Sequence, residues 1–285
     1  MSAVPTLDDV PRDGQDRTGT PPRMPPRDDA TPPSPEEIFE RTQQEGRRRL
    51  LAHPLSQLST GFTAGLNIVL AIVALGITHH LVADRFGTSM GELAGALAFG
   101  VGLTFVVVGR SELFTENFLG PITARAGSGV DRFAARLGRL WALTLISNLV
   151  GGALLVLILT TEGALPEGTP SALVEVAERL ERRDPWPDFM NAIAGGALVT
   201  LLSWLVLSVG SGFGRFAVAW AVGTLLALGP FNHVVVSVLQ LVFGLRYDAA
   251  YEMDAVLEVF AIGTAGNLIG GVLLVTLVRA GQARG

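Results

Sequence analysis

Asn148-Leu149-Val150-Gly151-Gly152-Ala153-Leu154-Leu155-Val156 returns, 119 residues later, as Asn267-Leu268-Ile269-Gly270-Gly271-Val272-Leu273-Leu274-Val275. Each copy is uncharged, carries one Asn and pairs two glycines, the pattern of a helix that packs closely against another inside a bilayer. Each sits in a longer uncharged run, 140–161 and 259–278. Four more such runs lie at 57–81, 93–109, 189–213 and 216–245. Most approach the ~20 residues that cross ~30 Å of hydrocarbon at 1.5 Å per residue. Six spans in two copies leave three per copy. Because three is odd, the second copy must enter the membrane from the opposite side, which makes the repeat inverted.

Composition agrees. The chain of 285 residues is 49% hydrophobic and 16% charged, with mean hydropathy +0.44, whereas soluble domains carry ~25% charge. No cysteine is present, so thiolate metal sites and disulfides are excluded, and every basic side chain is an Arg because lysine is absent.

Residues 1–50 hold nine prolines and scarcely an apolar side chain before Ile38 and Phe39. Such a segment is expected to be a disordered tail without a secretory h-region. It ends in a short helix over 34–51, whose early Glu36, Glu37 and Glu40 and late Arg47, Arg48 and Arg49 complement a helix dipole, and which is expected to lie along the membrane surface. The domain plan is thus tail 1–50, six-helix transmembrane domain 51–280 and tail 281–285. Arg47–Arg49, then Arg125, Arg132, Arg136 and Arg139, Arg215, and Arg279 with Arg284 all flank the same ends of the spans, whereas the acidic link 162–188 flanks the others. The positive-inside rule makes both termini cytoplasmic. A short loop helix is expected over 171–183.

The 119-residue offset also lays 112–117 onto 231–236, and both segments interrupt a span. The second meets Arg110, Glu112 and Glu116 before apolar character resumes at 118–124, and the fifth meets Gly229-Pro230, Asn232 and His233. Broken spans at matching positions of two repeats point to a transport site. His233 is the only His inside a span, since His79 and His80 sit at the outer end of the first and His53 precedes it. It either serves a permeating weak acid, donating one hydrogen bond and exchanging a proton, or merely caps the broken helix. Thr115 either turns its hydroxyl to the same axis or bonds back to its own turn. Arg110, Glu112 and Glu116 are read as pairing with one another or with the backbone of the break, and an Arg facing a vestibule would attract anions. No phosphate loop, zinc motif or nucleophile elbow is present, so no enzyme chemistry, cofactor or metal is expected. Nucleic-acid binding has no support, since the arginines follow topology.

These pieces resemble the formate/nitrite transporter family. Glu112-Leu113-Phe114-Thr115 is similar to its loop in the second span, Phe231-Asn232-His233 to its Phe-Glu-His, and Gly266-Asn267-Leu268-Ile269-Gly270-Gly271 to its last-span signature. The resemblance implies an all-α, aquaporin-like protomer with interrupted second and fifth spans, assembled as a homopentamer in a bacterial inner membrane. It implies a pore for small weak-acid anions, of the formate, nitrite or hydrosulfide class, with His233 central and Thr115, Asn232 and Asn267 near. Phe99, Leu103, Leu113, Phe114, Val199 and Leu226 would form apolar constrictions. Departures fall at Asn232, where the family has Glu, at Gly196, where it has Asn, and at a vestibule Lys for which only Arg182 or Arg183 is available; Arg110 and Glu116 stand where small residues are usual. The rival readings are a pore for a neutral or cationic solute and a non-transporting scaffold that works through its tail.

Overall fold

The computed structural model describes residues 32–127 and 130–282. Among them every regular element is a helix. The segment before residue 32 and Arg284 lie outside the described residues.

Helix α1, Pro35–Leu51, begins in a capping box: Glu37 N donates to Ser34 Oγ at 3.3 Å while Ser34 N donates to Glu37 Oε2 at 3.2 Å. Its buried residues, Ile38, Phe39, Thr42, Gly46 and Leu50, recur at helical spacing. That stripe rests on protein: Ile38 and Phe39 meet Leu119 and Trp204, and Leu50 meets Ala124 and Leu140. The compact unit of the chain starts at Pro32, so α1 belongs to it.

Among the described residues five helices are long and apolar enough to cross a membrane: α2 (Pro54–Phe86), α3 (Thr88–Val108), α5 (Phe133–Leu159), α7 (Pro185–Ser208) and the final stretch Met253–Gln282. The last comprises α10 (Met253–Ile269), a π-helical turn (Gly270–Leu277) and α11 (Val278–Gln282). The remaining apolar run, 216–245, divides into α8 (Gly212–Leu228) and α9 (Val234–Arg246). After α3 the chain breaks, makes the 3-10 turn Phe114–Asn117 and resumes as α4 (Leu119–Gly127). The short loop helix is α6, Thr169–Glu181. Many leucines and valines on the long helices stay exposed, among them Leu70, Leu97, Val101, Val150, Leu154, Leu225 and Leu273, as lipid-facing positions would be.

Helix α2 lies between α3 and α5, α3 against α8, and α7 against α10. A close crossing of α7 on α10 explains Gly196. A Cβ there would sit 2.3 Å from the Asn267 Cα and carbonyl oxygen, and one on Gly195 would sit 2.6 Å from the Asn232 carbonyl oxygen. No side chain fits at either position, so the polar group that the resemblance places at 196 is sterically barred.

Candidate functional site

Both interruptions leave backbone groups without helical partners in an apolar surround, where each would cost several kcal/mol. The first starts where Gly109 N donates to Phe105 O at 2.9 Å and Arg110 turns left-handed at φ 53°. Asn148 then closes it. Its Nδ2 donates to Gly61 O at 2.8 Å and Glu112 O at 3.0 Å, and its Oδ1 accepts from Phe114 N at 2.9 Å. Asn267 closes the second in the same manner. Its Nδ2 donates to Ala192 O and Asn232 O, both at 2.7 Å, and its Oδ1 accepts from Val234 N at 2.9 Å. These two amides make Glu112 equivalent to Asn232 and Phe114 to Val234, one residue beyond the register that a uniform offset of 119 assigns. The 119-residue offset holds between the two asparagines, while the breaks they clamp are related by one residue more.

Further bonds fix the 3-10 turn. Thr200 Oγ1 donates to Thr115 O at 3.2 Å and Trp141 Nε1 to Asn117 O at 2.9 Å, while Phe114, Phe118 and Trp141 meet edge to face. Held this way, Thr115 Oγ1 lies 2.7 Å from His233 Nε2, with both residues buried. Thr115 therefore does not bond back to its own turn, and the His233 ring makes no cap bond to α9. His233 Nδ1 is sealed from solvent and has no partner among the described residues. Asn232 lies beside it, its Nδ2 donating at 2.6 Å to Asp188 Oδ2, and its Oδ1 is likewise unpartnered.

Two cavities of about 390 Å³ approach this pair. One, on the α6 side, reaches His233, Phe99 and Leu226 and carries His79, Glu92, Arg179 and Arg183 on its wall. The other, on the α1 side, is walled by Glu45, Arg48, Arg49, Arg110, Glu112, Glu116 and Arg215. Phe99, Leu103, Leu113, Phe114, Val199 and Leu226 all belong to the large apolar core, each at most 4% exposed, and Phe99 and Leu226 also line the α6-side cavity. Asn232 and Asn267 do not line either cavity; they hold the loop behind His233.

The charged cluster follows the expected pairing only in part: Glu116 bonds the backbone of the break, whereas Glu112 and Arg110 pair neither with it nor with each other. Glu112 bonds Arg48 at 3.0 Å and lies 3.7 Å from Arg49, both from α1, and Glu116 Oε2 accepts from Leu113 N at 2.8 Å. Arg110 forms no ion pair among the described residues; it is exposed and stands on the wall of the α1-side cavity. Glu45 links both arginines, at 2.6 Å to Arg48 and 2.9 Å to Arg49. Burial alone would raise the Glu45 pKa, but the hydrogen bond from Arg48 and the charge of Arg49 bring it down to about 2.

On the other side, Arg183 Nη1 donates to Pro230 O at 2.9 Å and sits 3.4 Å from Asp188 Oδ1, while Arg182 turns away to pair with Glu178. Of the two arginines offered for the vestibule charge, Arg183 lines the cavity. Arg48, Arg49, Asn148 and Asp188 are site residues that sequence reasoning did not single out. Asn148 stood in the repeat beside Asn267 and could have been found there; Asp188 stood at the mouth of an apolar run, a weaker signal.

The formate/nitrite transporter model matches residues 36–281. Inner membrane protein YfdC of Escherichia coli K12 is 25% identical over 248 residues, covering 87% of this chain and 78% of that protein. Nitrite transporter NirC of the same organism is 26% identical over 231 residues, covering 78% and 80%. A solved pentameric formate channel with formate bound superposes with a TM-score of 0.69 at 20% identity, covering 81% of this chain and 98% of that one, a likeness of fold. With the family model spanning α1 to α11 and both clamped breaks, the chain belongs to the formate/nitrite transporter family.

Proposed function

We propose that this protein is a homopentameric channel or transporter for small monovalent weak-acid anions, of the formate, nitrite or hydrosulfide class, in a bacterial inner membrane with both termini cytoplasmic. The observation that carries the reading is the Thr115 Oγ1 to His233 Nε2 contact of 2.7 Å, buried in the apolar core, which we read as a waist separating two cavities whose walls carry arginines. A bare anion is repelled by such a waist, because nothing there replaces its hydration. A neutral acid crosses it. Arginines in either cavity concentrate the anion, and His233, whose Nδ1 lacks a partner, exchanges the proton that makes it neutral. Thr115 fixes the ring, since its hydroxyl serves as donor or acceptor to either tautomer. The family membership, the NirC relative and the formate channel of the same fold support the anion class.

The test is radiolabelled formate, nitrite, chloride and acetate uptake, with hydrosulfide followed by a sulfide probe, into proteoliposomes at pH 5.5 and 7.5, as about a hundredfold step in proton activity, with His233→Ala in parallel. Uptake of a weak-acid anion that rises with acidity and collapses in the variant is the expected result. Equal uptake by the variant, or chloride passing as well as the weak acids, overturns the reading.

A further inference from the structure

Three carboxylates face the α1-side cavity, and they are not alike. Glu45 and Glu112 are each held by Arg48 and Arg49 within 4.0 Å. Glu116 has no ion pair of that length among the described residues. Its Oε2 is occupied by Leu113 N at 2.8 Å, and its Oε1 takes no hydrogen bond from the described residues while the side chain lines the cavity. The residue is 7% exposed, and its neighbour in the 3-10 turn is Thr115, which touches His233. A lone carboxylate oxygen thus opens onto the arginine-rich cavity one residue from the waist.

We propose that Glu116 is the proton acceptor at the cytoplasmic end of the path, an assignment that rests on the weak-acid reading above. A neutral acid HA leaving the waist gives up its proton to Glu116 Oε1: the acid's O–H or S–H bond breaks, an O–H bond forms on the carboxylate, and A⁻ remains. Arg48, Arg49, Arg110 and Arg215, on the same wall, receive the anion as its charge appears. Water in the cavity then takes the proton from Glu116 and restores the carboxylate, and the sequence runs backward for export. Glu45 and Glu112 are set apart from this task by their ion pairs, since Arg48 and Arg49 both lie within 4.0 Å of each. The charged groups facing Glu116 are Glu45, Arg48 and Arg49 of α1, Arg110 and Glu112 of the break, and Arg215 at the start of α8. Helices α4, α5 and α7 also pack on the turn, and the side chains of α5 and α7 that hydrogen-bond to it, Trp141, Thr144, Asn148, Thr200 and Ser203, are all uncharged.

The test compares Glu116→Gln with the native protein in everted and right-side-out membrane vesicles, measuring formate uptake against bath pH. Gln keeps an oxygen to accept from Leu113 N, so the turn is retained. Uptake by E116Q should lose its dependence on bath pH in everted vesicles, by about tenfold or more across pH 5.5 to 7.5, and keep it in right-side-out vesicles. Unchanged profiles on both faces, or an equal fall on both, overturn the proposal. Should E116Q fail to assemble, Glu116→Asp takes its place: a retained cytoplasmic-face dependence supports the assignment and its loss overturns it. His233→Ala separates the two claims. Native-like uptake in that variant refutes the role given to His233, whereas the face-specific loss in E116Q reports on Glu116 alone.

Discussion

Thr115 and His233, 118 residues apart in sequence, meet at 2.7 Å in the centre of the protein. Neither is placed by its own helix. Each sits at a break, and each break is held by one asparagine that satisfies three backbone groups.

Thr115→Val removes the only hydrogen bond to the His233 ring among the described residues and leaves Nε2 buried without a partner there. The expected cost is about 1 to 3 kcal/mol of stability, together with a weaker acid dependence of anion uptake. Thermal unfolding in detergent and flux in proteoliposomes measure the two effects. Thr115→Ser should restore both.

Asn148→Ala and Asn267→Ala each free three backbone groups in the interior. Losses of about 3 kcal/mol or more are expected for each, with similar size because the two amides do the same work. Size-exclusion of solubilised protein against temperature gives the comparison. A large loss at one position with none at the other would contradict their equivalence.

Gly196→Asn, the change toward the usual family residue, is expected to prevent assembly, since even its Cβ would press to 2.3 Å on the Asn267 backbone. Gly196→Ala should fail for the same reason, while Gly138→Ala, where a Cβ meets nothing, should be neutral. Yield of folded protein after solubilisation decides it.

The docking of α1 should withstand moderate acid. Glu45 titrates at about 2 in the folded protein against an ordinary 4.5, so its pairs with Arg48 and Arg49 contribute fully above pH ~4.5 and are lost as pH falls toward 2. Protease protection of α1 should be flat from pH 8 to about 5 and decline below about 4. Glu45→Gln should lower that protection at neutral pH and abolish the acid transition.

Much of this was legible before any fold was known. Long uncharged runs name their own helices, because a bilayer demands continuous apolar surface and internal hydrogen bonding. Ser34 and Glu37 announce the start of α1, and Gly229-Pro230 the break before α9, since capping and Pro sterics act within a few residues. The charged cluster was another matter. Glu112 stands two residues from Arg110 in sequence, yet it pairs with Arg48 and Arg49, more than sixty residues upstream.

The sequence by itself determined the all-helical membrane architecture, the repeat with its two asparagines, and the positions of both interruptions, because each is written in periodicity, composition or local backbone sterics. Only the tertiary structure decided which groups face each other: the one-residue shift between the breaks, Asp188 beneath Asn232, the arginines of α1 beneath Glu112, and the isolation of Glu116. Those pairings depend on how helices cross, and crossing is set by close approaches such as Gly196 on Asn267, a three-dimensional fit that no local pattern encodes.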